Sequence, residues 1–356
     1  MKAAVYYDKG DIRYEEVALP MIGPDEILLK VKACGLCGTD IHKALDRLVS
    51  PGTVLGHEIA GEIVEVGREV KGYAAGDRIY AAHHVPCFTC HHCRRGAYSL
   101  CPQFKRTNVE PGGFAEYIRI PALHVQHTIG KLPAQVSDEQ GAMVEPVACC
   151  LHGFEKIDFR PGASVLIMGA GQIGCIQIQL ARHFLASQII VSDLNPFRLQ
   201  KALEFGADYA VNSATHDLET EVMEITAGAG VDVVIISAGV DALLPQAINV
   251  LNRGGTVLVF APFSGRQVSI PAARFFQDEV KIVGAYSSNP YHYPTALQLL
   301  SSRIVDAEKM ITHRFSLAEL PTAIACAHHP SGQVIKVMIK PEQEEGNAVG
   351  TVSAGE

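Results

Sequence analysis

The stretch ASVLIMGAGQIGCIQIQLARHF, residues 163–184, narrows the folds open to this chain more than any other. An unbroken apolar run leads into Gly169, Gly171 and Gly174, and an apolar helical period follows, which describes a buried strand turning tightly into a helix. The first glycine suits the turn, the second lets a pyrophosphate approach the backbone, and the third lets helix and strand pack closely. Downstream, QIIVSD, VDVVIISAG, TVLVFAP and VKIVGAY read as strands. NPFRLQKALEFGA and DALLPQAINVLNRGG between them read as helices. Strands alternating with helices of this length predict βαβ units on a doubly wound parallel sheet, an α/β fold.

A glycine triplet alone also occurs in ordinary turns. Here the strand before it, the helix after it and an acid at the end of the next strand, Asp193, agree on a dinucleotide site. Gln172 and Ile173 open the helix, where free N–H groups and the helix dipole favour phosphate. Asp193 suits both ribose hydroxyls and repels a 2′-phosphate, so NAD is expected rather than NADP. Arg198 is either a partner for that phosphate or a plane stacked on adenine.

The first 145 residues have a different texture. EILLKVKACG, HEIAGEIVEVG, GDRIYAA and FAEYIRIP are short strand-like runs between Gly and Pro turns. The expected division is 1–145 as a mostly-β domain to which 286–340 returns, and 146–285 as the nucleotide fold. The polar segment 341–356 is expected to be disordered. The formal charge of −8 carries no basic block, which argues against nucleic acid or an anionic membrane as a partner. No apolar run has the length of a transmembrane helix or signal core, so a cytoplasmic setting is expected.

Four of the ten cysteines, Cys87, Cys90, Cys93 and Cys101, fall within fifteen positions. Cys-x2-Cys-x2-Cys-x7-Cys in a large chain without a secretion signal points to tetrahedral zinc rather than to disulfides. Four thiolates leave no open position, so this zinc is structural. It stabilises a lobe poor in regular structure, with apparent binding energy on the order of 10–16 kcal/mol in comparable peptides. His91 and His92, in the same loop, are alternatives to one of the thiolates.

GLCGTDIH supplies Cys37, Thr39, Asp40 and His42, LGHEIAGE supplies His57 and Glu58, and AMVEPVACC supplies Glu145. Cysteine, histidine and a carboxylate with a fourth position free is the ligand composition of catalytic zinc. These motifs, in this order, resemble the zinc-dependent medium-chain alcohol dehydrogenases, in their polyol (sorbitol-like) and threonine dehydrogenase branch. The resemblance spans about residues 1–340.

The resemblance implies a GroES-like catalytic domain interrupted by a Rossmann domain, NAD, two zinc ions per chain, and a homodimer or homotetramer. It makes Cys37 and His57 catalytic zinc ligands and leaves the carboxylate open between Glu58 and Glu145. Thr39 becomes the hydroxyl that accepts the substrate proton, and His42 the residue that passes it to solvent. The plain reading of His42 is an exposed helix residue. Asp40 is expected to orient a ligand through the outer shell. Lys336 is expected near the cofactor phosphates, unless it is a solvated lysine. Cys149 and Cys150 are expected to be buried packing residues.

The activity so implied is hydride transfer between NAD and a secondary alcohol or ketone of a polyol, cyclitol or sugar-alcohol phosphate. L-Threonine 3-dehydrogenase or a non-catalytic nucleotide sensor are the alternatives. Zinc lowering a bound water from pKa 15.7 to about 7 is equivalent to roughly 12 kcal/mol. A general base gives roughly 3–5 kcal/mol. The metal is therefore the main source of rate, with Thr39 and His42 a proton path. Lys43, Asp46 and Arg47 are expected near the mouth of the site, and Tyr286, Tyr291, His292 and Tyr293 at its wall or at a subunit contact.

Overall fold

The computed structural model describes residues 1–263, 265, 267–329 and 332–342. The tail expected to be disordered lies, beyond Glu342, outside the described residues. The described residues form two compact units: Met1–Ala148 with those from Asn289 to Glu342, and Cys149–Ser288.

In the second unit six parallel strands lie in the order Tyr209–Asn212, Gln188–Asp193, Ser164–Met168, Val231–Ile236, Leu251–Val259 and Lys281–Gly284. Val165 to Met168 are shut from water, as are Val234 to Ile236 in the neighbouring strand. Burial on both faces explains why these strands read as continuous apolar runs rather than as alternating ones. The order of strands reverses between Ser164–Met168 and Val231–Ile236, and Gly169 leaves the sheet at that point, where ligands bind in such folds. One helix is shorter than its sequence suggests. The helix expected over 241–255 spans Leu243–Asn249, and the next strand begins at Leu251. Gly254 there has φ +74°, a conformation no right-handed helix contains.

In the first unit a mixed sheet runs Ile311–Phe315, Lys336–Ile339, Ile27–Leu36, Glu58–Val66, Arg78–Ala82 and Ile129–Lys131, with Tyr117–Ile120 also pairing Ile27–Leu36. A smaller antiparallel sheet joins Asp11–Glu16, Lys2–Asp8 and Thr53–Val54. Inward-facing Ile27, Leu29, Val31, Ile59, Ile63, Ile79 and Phe114 form the core between them.

Register in the larger sheet decides what meets what. Gly35 lies opposite both Glu58 and Met338, and Glu58 lies opposite Ala82. Cys37 follows one strand, His57 precedes the next, His83 follows a third and Lys336 begins a fourth. All four therefore gather at one end of the sheet. Among the described residues no helix is long and apolar enough to cross a membrane.

Candidate functional site

Cys37, His57 and Glu58 bring one ligand atom each to within 4.8 Å of one another. Cys37 sits at the N-terminal boundary of the helix Gly38–Leu45, and Asp40 from that helix is buried behind the group. The Asp40 carboxylate accepts from Cys37 N at 3.1 Å, from Gly56 N at 3.2 Å and from His57 Nδ1 at 3.1 Å. Burial alone would raise its carboxyl, but His57 and the two backbone N–H groups hold it below the usual carboxylate range. Burial likewise pulls the His57 imidazole down, and Asp40 and Cys37 together carry it well above its ordinary value. With Nδ1 fixed on Asp40, Nε2 is left for a metal, the outer-shell arrangement that orients histidine ligands. The donor set of one thiol, one imidazole and one carboxylate fits zinc with a position open.

Glu145 is buried in the first turn of the helix Val144–Lys156 and is not one of this group of three. Thr39 and His42 are on the exposed side of their helix. The His42 side chain is 69% exposed and its Nδ1 lies 3.3 Å from Asp46 Oδ2. Arg47, expected to be available at the mouth, is tied to Asp8 at 2.6 Å. Of the tyrosines expected at the wall, Tyr293 is a core residue, 2% exposed, whereas Tyr291 packs its ring on Tyr98.

The four-cysteine lobe holds its sulfurs as a metal would. All four lie within 4.8 Å, with Cys90 and Cys93 Sγ 3.6 Å apart and Cys87 and Cys93 Sγ 4.0 Å apart. Thiolates at about 2.3 Å from a tetrahedral zinc stand about 3.8 Å apart. The Thr89 hydroxyl and the N–H groups of Thr89 and Cys90 lower the Cys87 thiol to about 6. Burial and crowding by Cys90 and Cys101 raise Cys93 to about 12, a repulsion that a bound cation removes. All four thiols are free of disulfides, and neither His91 nor His92 joins the group. Phe104, fully buried, and Tyr98 pack beneath it.

In the second unit the three glycines have distinct surroundings. A Cβ on Gly174 would collide with the carbonyl of Gly169, so helix and strand approach closely only with glycine there. A Cβ on Gly171 would meet nothing within 4 Å, so the cap of the helix Gln172–His183 faces open space fit for a phosphate. Gln172 and Ile173, half-exposed, line its first turn. Asp193 ends the strand Gln188–Asp193, where Oδ2 accepts from Ala170 N at 2.7 Å and Oδ1 from Asn195 N at 2.9 Å. It thus clamps the glycine turn, and each oxygen keeps a lone pair for a ribose hydroxyl. Asn195 caps the helix Pro196–Glu204, which carries Arg198. Cys150 is buried as expected, and Cys149 is half-buried.

Three residues of the first unit take places that their sequence does not announce. Lys336 is neither solvated nor directed outward: its ammonium is held by the Glu58 carboxylate and donates to Leu36 O at 3.1 Å. Gly35 makes room for that pair, since a Cβ there would strike Glu58 and lie 2.7 Å from Lys336 Nζ. A glycine inside a strand is the one signal that marked this close approach. His83 stacks obliquely on His57, ring centroids 4.6 Å apart. Its buried Nδ1 has no hydrogen-bond partner, a state that costs about 1–3 kcal/mol.

Family models match the chain twice: the alcohol dehydrogenase GroES-like domain over residues 23–131 and the zinc-binding dehydrogenase domain over residues 173–302. The sorbitol dehydrogenase of Bacillus subtilis (strain 168) is 34% identical over 351 residues, covering 96% of this chain and 98% of the relative. The D-arabitol-phosphate dehydrogenase of Enterococcus avium is 33% identical over 350 residues, covering 97% of each. A protein of Sinorhizobium meliloti 1021, described as a zinc-binding dehydrogenase and solved with NADP, superposes with a TM-score of 0.88 at 32% identity. That match covers 96% of this chain and 99% of the other.

Proposed function

Because the chain belongs to the zinc-dependent medium-chain alcohol dehydrogenases, in their polyol branch, we propose that it is an NAD-dependent polyol dehydrogenase. It interconverts a secondary alcohol of a polyol, cyclitol or sugar-alcohol phosphate with the matching ketone. The observation that carries this reading is the Cys37–His57–Glu58 group with Asp40 fixed behind His57. Bound there, zinc supplies the Lewis acidity that makes the substrate hydroxyl acidic. Glu58, already in the group, is the third ligand, and Glu145 stands outside it. The cysteines of the lobe take a second, structural zinc.

The chain's own groups manage the proton and the cofactor. Oxidation removes a hydride to the nicotinamide and a proton from the hydroxyl. Thr39 accepts that proton and His42, open to water, releases it. Gly169, Gly171 and Gly174, with the N–H groups of Gln172 and Ile173, would hold the pyrophosphate, and Asp193 would take the ribose hydroxyls. Arg198, in the helix after Asp193, would serve the adenine end of the cofactor. Lys336 acts on Glu58 rather than on the cofactor phosphates. The enzyme works in the cytoplasm as a homodimer or homotetramer.

NADH formation against linear polyols, cyclitols, sugar-alcohol phosphates and threonine, with NAD and with NADP, tests the reading. Turnover of one polyol class with NAD preferred is expected. Turnover of threonine alone, or preference for NADP, would contradict it. Sedimentation of the purified protein reads the assembly.

A further inference from the structure

We propose that His83 is a substrate-positioning residue: its imidazole hydrogen-bonds the hydroxyl next to the reacting carbon and so selects substrates with adjacent hydroxyls. The inference rests on the dehydrogenase reading above and adds to it the residue that reads the substrate.

His83 stands one position past the strand Arg78–Ala82, at the end of the sheet where Cys37, His57 and Glu58 meet. Its ring lies against that of His57, at 4.6 Å between centroids and tilted by 50°. Its Nδ1 is buried and, among the described residues, has no hydrogen-bond partner. The adjoining imidazoles are tied down: His84 Nδ1 donates to Thr107 O at 2.8 Å, and His124 Nε2 donates to the carbonyl of His83 itself at 3.0 Å. His124 also keeps an unpaired Nδ1, but among these imidazoles it is His83 whose unpaired Nδ1 belongs to a ring packed on His57.

What surrounds it narrows what can bind it. Its ring meets the imidazoles of His57 and His84, at 4.6 and 3.8 Å between centroids. A neutral imidazole carries one donor and one acceptor. A hydroxyl is the simplest group that satisfies either, whichever nitrogen holds the proton. A substrate whose reacting oxygen sits at the Cys37–His57–Glu58 group carries its neighbouring hydroxyl one carbon–carbon bond away, and His83 is an imidazole in contact with that group. A ring that only filled space there would be served as well by phenylalanine.

That comparison is the test. Zinc-loaded protein with NADH, which holds the oxidation in check, is titrated with butane-2,3-diol and with butan-2-ol by ligand-observed NMR. The two probes share a carbon skeleton and differ by one hydroxyl. The wild-type protein is expected to favour the diol, and His83→Phe to lower the diol-to-monoalcohol affinity ratio by about tenfold, the worth of one hydrogen bond. His83→Gln, which keeps a donor and an acceptor, should regain part of the ratio. An unchanged ratio in His83→Phe, or a wild-type protein that does not favour the diol, overturns the proposal. So does loss of zinc from His83→Phe, which would make His83 a support of the metal site instead. If diol preference depends on His83 but no polyol reduces NAD, the dehydrogenase reading fails while His83 is still shown to bind the second hydroxyl.

Discussion

Lys336 and Glu58 form an ion pair inside the sheet of the first unit, their side chains 0% and 1% exposed. Two charges withdrawn from water are tolerated only while each compensates the other. Glu58 also belongs to the group proposed to hold zinc, so its carboxylate answers to two cations. Lys336→Met removes one of them. In zinc-depleted protein this should cost about 3–5 kcal/mol, the penalty for stranding a buried charge. With zinc bound, the deficit should shrink. Calorimetric unfolding of both proteins with and without zinc checks this; an equal deficit in both states would separate Glu58 from the metal.

Glu139 provides a pH-dependent anchor in the first unit. Its carboxylate receives two bonds of 2.8 Å from Arg314, with Lys340 at 3.5 Å. Burial alone would raise the Glu139 carboxyl, but Arg314 and then Lys340 outweigh it and leave it lowered from 4.5. A lowered carboxylate stabilises the fold fully above its unfolded value and loses that contribution as pH falls through the folded one. Glu139→Gln should therefore destabilise by about 1.5–3 kcal/mol at pH 7. The gap from wild type should close below about pH 4.5. Denaturant melts across that range read the difference directly; a gap that widens on acidification would contradict the sign.

Asp193 has two duties, one to the glycine turn and one proposed toward the ribose. Asp193→Ser keeps a hydrogen-bonding group near Ala170 N and removes the charge that opposes a 2′-phosphate. The ratio of kcat/KM for NADP over NAD should rise by about tenfold or more, a change worth about 1.4 kcal/mol. If both cofactors weaken alike, the clamp on Ala170 is the only role of Asp193.

Much of this was legible in the sequence because local pattern and local chemistry coincide there. The strand Ser164–Met168, the turn at Gly169 and the helix from Gln172 announce themselves within twelve residues. The four cysteines do the same, because zinc chelation by a loop is a short-range affair. The carboxylate of the open site was not decided by sequence, since Glu58 and Glu145 differ only in what the sheet register brings beside them. The pairing of Lys336 was hidden for the same reason: its partner Glu58 is 278 positions away and meets it through the shared neighbour strand Ile27–Leu36. His83 looked like one of many histidines until the strand Arg78–Ala82 delivered it to His57. The helix expected through residue 255 failed where apolar spacing continued past Asn249 although Gly254 turns the backbone out of the helical region.

Cys37, His57 and Glu58 are proposed to hold a zinc on which turnover depends, with His42 only a proton exit. The direct measurement is zinc per chain together with polyol turnover in wild type, Cys37→Ser and His42→Ala. Wild type should carry two zincs, Cys37→Ser one with almost no turnover, and His42→Ala two with a reduced rate and a shifted pH profile. Two zincs and near-normal turnover in Cys37→Ser, or equal losses in both variants, would contradict the account.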